Sequence, residues 1–161
     1  MQGTVTECMT AEVVTATPPM TLKQVDQTLL KNGITGMPVV DGGNLVGVVS
    51  QADIVRAIYD EQRQAQRIQN IYQSPYPIPI SAIEKISGDT RRILEHIVTT
   101  TVEEVMSPVP VSVEIDTPVD VVTRLMVTER IHRVLVTDRE RLAGIVSSLD
   151  LVNSMVEPLE D

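Results

Sequence analysis

The sequence predicts an α/β (α+β) fold of two tandem repeats, each β-α-β-β-α, packed as a pseudo-two-fold pair. Three observations carry this. Shifted by 97 positions, the chain matches itself without a gap: 4–61 against 101–158 gives 15 identities in 58 positions, and ten more pairs exchange one aliphatic residue, counting Ala and Met, for another. Each copy shows the same succession of strand and helix patterns. The core must be aliphatic, because 42% of the 161 residues are hydrophobic yet there is no Phe, no Trp and only three Tyr. One such unit exposes an apolar sheet face and would be marginal alone, which favours packing of the two.

Taken in order, each copy opens with TVTECMT (4–10) or TVEEVMS (101–107), followed by a short apolar run, Val13-Val14 or 111–115, read as a first strand. A helix follows. Leu22, Val25 and Leu29 recur at helical spacing in copy one and Gly33 can stop the helix; Val119, Val122 and Met126 take those places in copy two, where Pro118 suits the first helical position after a Thr117 cap. Two strands come next, MPVV-DGGN-LVGVV with the Asp-Gly signal of a hairpin, and VLVT-DRER-LAGIV with a charged turn. A second helix starts at Ser-x-x-Asp. The domain reading is therefore repeat one over 4–61, a connecting segment over 62–100, and repeat two over 101–158. In the connection, Ile54, Ile58, Ala65, Ile68 and Tyr72 extend the second helix of copy one. SPYPIPIS is an extended polyproline-like path, since alternate prolines forbid helix. One or two short helices then turn Ile83, Ile86, Ile93, Leu94 and Ile97 inward. At this length a connection rich in apolar residues is expected to pack rather than to run free.

Composition excludes several functions. The formal net charge is -9 and no basic run exists, which argues against nucleic acid, as does the scarcity of aromatic residues for stacking. Cys8 is the sole cysteine and, with two distant histidines (His96, His132), makes no zinc pattern and no disulfide. A small half-buried apolar residue is the reading of Cys8. No signal peptide and no membrane-length apolar run is present, so a soluble, cytoplasmic protein without membrane contact is expected. No nucleophile–base pair, metal cluster or glycine-rich phosphate loop occurs. An enzyme is not expected, nor a metal or a required cofactor.

The motif that occurs twice is GVVSQAD (47–53) and GIVSSLD (144–150). Ser-x-x-Asp has the spacing of a helix-capping box, although Glu or Gln is the usual partner. It also puts a carboxylate beside a helix N-terminus that closes an apolar strand, where free amides favour phosphate and the acid can accept from both ribose hydroxyls. The two roles are compatible.

With both copies in view, the chain resembles the cystathionine beta-synthase (CBS) domain family, whose tandem pairs are called Bateman modules. The residues that carry the resemblance are Met9-Thr10 and Val105-Met106-Ser107 ahead of the first strand, Ile34-x-x-Met37-Pro38-Val39-Val40-Asp41, and Gly-h-h-Ser-x-x-Asp in each copy. RIHRVLVTD in copy two is similar to the nucleotide-binding repeats of AMP-activated kinase regulatory subunits. The resemblance implies a pseudo-symmetric pair that binds AMP, ADP, ATP or S-adenosylmethionine, acts as a homodimer and regulates a partner protein. It implies two crossed ligand sites. One combines Met9, Val14, Thr35 and Gly36 with Ser147 and Asp150. The other combines Met106, Val111, His132 and Arg133 with Ser50 and Asp53. An aliphatic slot suits a purine through burial and dispersion. Copy two offers Arg130, His132 and Arg133 where copy one has Gly33, Thr35 and Gly36, and guanidinium suits phosphate. The alternative for that cluster is a solvated basic face on an acidic protein. Leu135 stands where copy one has Pro38 and alters one wall of the site. The function expected is regulatory binding of an adenosine ligand; the rival is an interaction or dimerisation module whose sites take no nucleotide.

Overall fold

The computed structural model describes residues 3–59, 98–108 and 110–155. The expectations for 62–97 lie outside the described residues. In copy one, Thr21 caps helix α1 (Leu22–Asn32): its hydroxyl accepts from the Gln24 amide while Gln24 Oε1 accepts from the Thr21 amide at 2.8 Å. The expected face is buried, with Leu22 and Val25 at 0% exposure and Leu29 at 1%. Gly33 stops the helix in the left-handed region at φ 63°. Strand β1 (Gly36–Asp41) and strand β2 (Asn44–Ser50) are neighbours joined by Gly42 and Gly43, both at positive φ, the turn that matches the twist of a hairpin. Helix α2 (Gln51–Tyr59) follows at once.

Copy two repeats the plan. A short helix α3 (Val102–Val105) precedes β3 (Ser112–Glu114), α4 (Val119–Glu129), β4 (Arg133–Asp138), β5 (Arg141–Ser147) and α5 (Ser148–Asn153). Strand β3 is parallel to β4, and β4 is antiparallel to β5. Two details differ from expectation. Pro118 is itself the cap of α4, not the first helical residue, because it sits at the position of Thr21 and keeps an extended backbone (ψ 142°). The run Val13-Val14 forms no strand, just as its counterparts Pro110 and Val111 lie outside β3; of residues 15–17, which match β3, only Ala16 bridges, to Val39. The cause is covalent. In copy two, Ile115 donates to the Thr137 carbonyl and Leu135 to the Val111 carbonyl, extending the ladder on both sides. Their counterparts in copy one are Pro18 and Pro38, which have no N–H.

The described residues form two compact units, and neither is a contiguous copy. The first comprises 3–14, Gly42–Leu45 and 110–155; the second comprises Thr15–Asp41, 46–59 and 98–108. The opening segment of copy one thus belongs with copy two, and that of copy two with copy one. In the first unit Thr10 pairs with Ile145, Thr4 with Pro118, and Val5 enters a core with Val119, Val122, Met126, Val134, Val136, Val146 and Leu151. In the second unit Ser107 pairs with Val48 and Thr21 with Thr101, the same contacts moved by one repeat, and Val102 is fully buried as Val5 is. Glycine makes each exchange possible. A Cβ at Gly144 would fall 2.7 Å from Met9 Sδ and 2.9 Å from the Thr10 carbonyl; one at Gly47 would fall 2.9 Å from Met106 Sδ.

Candidate ligand-binding site

Each repeated aspartate sits where a strand becomes a helix. Asp53 Oδ2 accepts from the Ser50 amide at 2.8 Å and from the Ser50 hydroxyl at 2.6 Å. Asp150 Oδ2 accepts from the Ser147 amide at 2.7 Å and hydroxyl at 2.6 Å, and the Ser147 hydroxyl accepts from the Asp150 amide at 3.2 Å. The capping box is thus complete at Ser147–Asp150 and its carboxylate half is present at Ser50–Asp53; the short Asp reaches because the hydroxyl and amide of one serine converge on a single oxygen. Capping uses only Oδ2. What each Oδ1 does decides whether a ligand can use the same carboxylate.

There the copies part. Asp53 Oδ1 accepts from Arg56 Nη1 at 2.8 Å, and Asp53 is 4% exposed. Asp150 is half-buried, and among the described residues nothing donates to its Oδ1. Arg56 was not singled out from the sequence; the signal was Asp-x-x-Arg on a helix, the spacing at which side chains meet, against Asp-x-x-Asn in copy two.

The other predicted residues fall as follows. The first unit holds Met9, Val14, Val111, His132, Arg133, Ser147 and Asp150. The second holds Thr35, Gly36, Ser50, Asp53 and Met106. Arg133 opens β4 directly opposite Ser147, and the Ser148 amide donates to the His132 carbonyl at 3.0 Å. Both His132 and Arg133 are exposed. In the second unit the Gln51 amide donates to the Thr35 carbonyl at 2.9 Å, and a Cβ at Gly36 would lie 3.3 Å from Ser50 Cβ. The position filled by Arg133 in copy two is thus bare in copy one. The crossed grouping, Thr35 and Gly36 with Ser147 and Asp150, and Val111, His132 and Arg133 with Ser50 and Asp53, draws on both units. Within the units, Thr35 and Gly36 neighbour Ser50, while His132 and Arg133 neighbour Ser147. Met9 shares a unit with Ser147 and Asp150, and Met106 with Ser50 and Asp53.

Cys8 lies close enough to feel Asp150. Burial, then the Asp150 and Glu7 charges, push its thiol above the ordinary value of 9.0. It donates to the Val5 carbonyl at 3.5 Å and is half-buried. Among the described residues no group of three or more His, Cys, Asp or Glu is placed to hold a metal ion, and no helix is long and apolar enough to cross a membrane.

A repeated strand–helix junction with a paired Ser and Asp, in a duplicated β-α-β-β-α chain, defines a tandem-repeat module. The CBS domain family profile matches residues 5–60 and again 102–157, and the chain belongs to that family. Among its relatives, the protein MJ0188 of Methanocaldococcus jannaschii is 28% identical over 158 residues, covering 98% of this chain and 46% of the relative. The chain spans less than half the length of the first curated relatives it matches. Among solved structures, CBSX2 in complex with AMP, a protein of Arabidopsis thaliana, superposes with a TM-score of 0.67 at 22% identity, covering 95% of this chain and 96% of the other. The CBS domain pair of MJ0100 in complex with 5′-methylthioadenosine and S-adenosyl-L-methionine superposes with a TM-score of 0.61 at 24% identity, covering 94% of each chain. These likenesses establish the fold.

Proposed function

We propose that the chain is a regulatory module that binds an adenosine ligand and, through it, modulates a partner protein without chemistry of its own. The observation that carries this reading is Asp150: its Oδ2 is committed to Ser147, while its Oδ1 has no donor among the described residues and can accept from a ribose hydroxyl. The complexes of CBSX2 with AMP and of MJ0100 with 5′-methylthioadenosine and S-adenosylmethionine support the ligand class. Arg133, with His132 beside it, supplies the cation for a phosphate, which favours AMP, ADP or ATP over S-adenosylmethionine. Met9 supplies apolar surface for the purine in the same unit. An exposed apolar set at the end of copy two, Leu149, Val152 and Met155, supports self-association as a homodimer. A cytoplasmic location goes with the reading. Regulation follows if the ligand binds one arrangement of the module better than another; the shift can be no larger than that difference in affinity.

The test is a thermal-shift panel of AMP, ADP, ATP, S-adenosylmethionine, 5′-methylthioadenosine and NAD. A ligand that binds the native state raises the melting temperature as concentration passes Kd. The expected result is a rise with at least one adenine nucleotide. No rise with any of them at about millimolar concentration, a level at which binding of about −4 kcal/mol would register, contradicts the reading and leaves an interaction module without a nucleotide.

A further inference from the structure

We infer that Arg56 closes the carboxylate of the first copy to ribose, so that each chain takes one adenosine ligand and takes it at Asp150; this rests on the function proposed above. The two junctions share the grip of one aspartate oxygen on the serine. In both, Oδ2 of the aspartate holds the serine amide and hydroxyl at 2.6–2.8 Å. The difference is at Oδ1, which is held by Arg56 Nη1 at 2.8 Å in copy one and has no donor among the described residues in copy two.

A ribose diol binds a carboxylate by donating to it, and so does a guanidinium. The guanidinium carries a charge and makes the stronger bond, so a sugar hydroxyl at Asp53 must first displace Arg56. Burial reinforces this. The Asp53 side chain is 5% exposed, so little of it is open to any donor other than those already bound, and Arg56, the charged one among them, is 59% exposed. Asp150 is half-buried and its counterpart of Arg56 is Asn153, an exposed residue with no charge. The same substitution that removes the guanidinium from copy two therefore leaves Asp150 Oδ1 without a donor among the described residues. Arg56 and Asn153 occupy equivalent positions, so the device can be moved from one copy to the other by exchanging them.

The experiment uses 5′-methylthioadenosine, which has no phosphate for Arg133 to read, and counts bound molecules per chain by calorimetry and native mass spectrometry. The full chain is compared with Arg56→Asn, Asn153→Arg and the double exchange. The expected results are one molecule per chain for the unaltered protein and two for Arg56→Asn. For Asn153→Arg, affinity at Asp150 falls about tenfold or more, since an intramolecular charged donor now competes. Both positions are exposed, and should either variant fail to fold, the other still decides. Two equal sites in the unaltered protein, an unchanged count in Arg56→Asn, or unchanged affinity in Asn153→Arg each overturn the inference while leaving the proposed function intact. No binding of 5′-methylthioadenosine by the unaltered protein or by Arg56→Asn overturns the inference; the proposed function fails with it only if no adenine nucleotide of the thermal-shift panel binds either.

Discussion

Arg133 stands directly across β4 and β5 from Ser147, at a position that copy one leaves as Gly36 beside Ser50. Opposed side chains on antiparallel strands start about 5 Å apart, so the guanidinium can reach a phosphate held near Ser147. Arg133→Ala is expected to weaken AMP binding about tenfold to a hundredfold, the loss of one or two charge-assisted hydrogen bonds. Binding of 5′-methylthioadenosine, which lacks the phosphate, should hardly change. Calorimetry with both ligands checks this; equal losses for the two would show that Arg133 acts on the fold instead.

The exchange of opening segments rests on two glycines. In Gly144→Ala the new methyl meets Met9 Sδ at 2.7 Å and the Thr10 carbonyl at 2.9 Å. The thioether can move but the backbone cannot, so the Thr10–Ile145 bridge must open. A cost of about 1–3 kcal/mol follows, or a fall of several degrees in Tm for a chain of this size. Met9→Ala in the same chain relieves only the side-chain part, so the double variant should recover less than half of the loss. Thermal unfolding by circular dichroism checks both.

Copy two keeps side chains where the backbone asks for glycine. Arg130 ends α4 at φ 54°, the place of Gly33, and Arg139 and Glu140 turn the hairpin at φ 50° and 72°, the places of Gly42 and Gly43. Left-handed backbone costs a side-chain-bearing residue about 1–2 kcal/mol, partly offset because glycine loses more entropy on folding. Arg130→Gly is therefore expected to raise stability by about 0.5–1 kcal/mol, visible as a small rise in Tm. The hairpin should respond less, since Glu114 accepts from the Arg139 amide at 3.2 Å and from Thr137 Oγ1 at 3.1 Å and so supports the turn from outside.

Cys8 offers a reading of the Asp150 charge. Its folded thiol ionises above the ordinary value of 9.0, through burial first and Asp150 second. An acid whose folded value is raised stabilises the fold while it stays protonated. That contribution is whole below the unfolded thiol's value and is lost as pH climbs through the folded one, so stability should fall with rising pH above about 9. Alkylation by iodoacetamide at pH 8 should be slower than for free cysteine and faster in Asp150→Asn. Equal rates in the two proteins would contradict the coupling.

Much of the fold was legible because repetition made local signals count twice. Gly33 ended a helix, Leu22, Val25 and Leu29 faced inward, and Asp-Gly made a turn, each a matter of neighbouring residues. What was not legible depended on distant partners. Nothing local in TVTECMT says that it will pair with Ile145 rather than with its own copy; only Met9 meeting Gly144 settles that. The first strand of copy one was read from Val13 and Val14, yet Pro18 and Pro38 deny it the donors that copy two has. At the site, the serine and aspartate of each copy could be found by their spacing. The inequality of the aspartates could not, because it lies in Arg56, which reads as an ordinary solvated charge until its guanidinium is seen on Asp53.

The central claim is that Asp150 receives the ribose of an adenosine ligand. Titration of the full chain and of Asp150→Asn with AMP, followed by calorimetry, tests it most directly. The amide keeps an acceptor for Ser147 but loses the charge that a hydroxyl pair would share, so affinity should fall by about tenfold to a hundredfold, with a Tm within a few degrees of the unaltered protein. AMP binding of equal affinity in both proteins would contradict the claim.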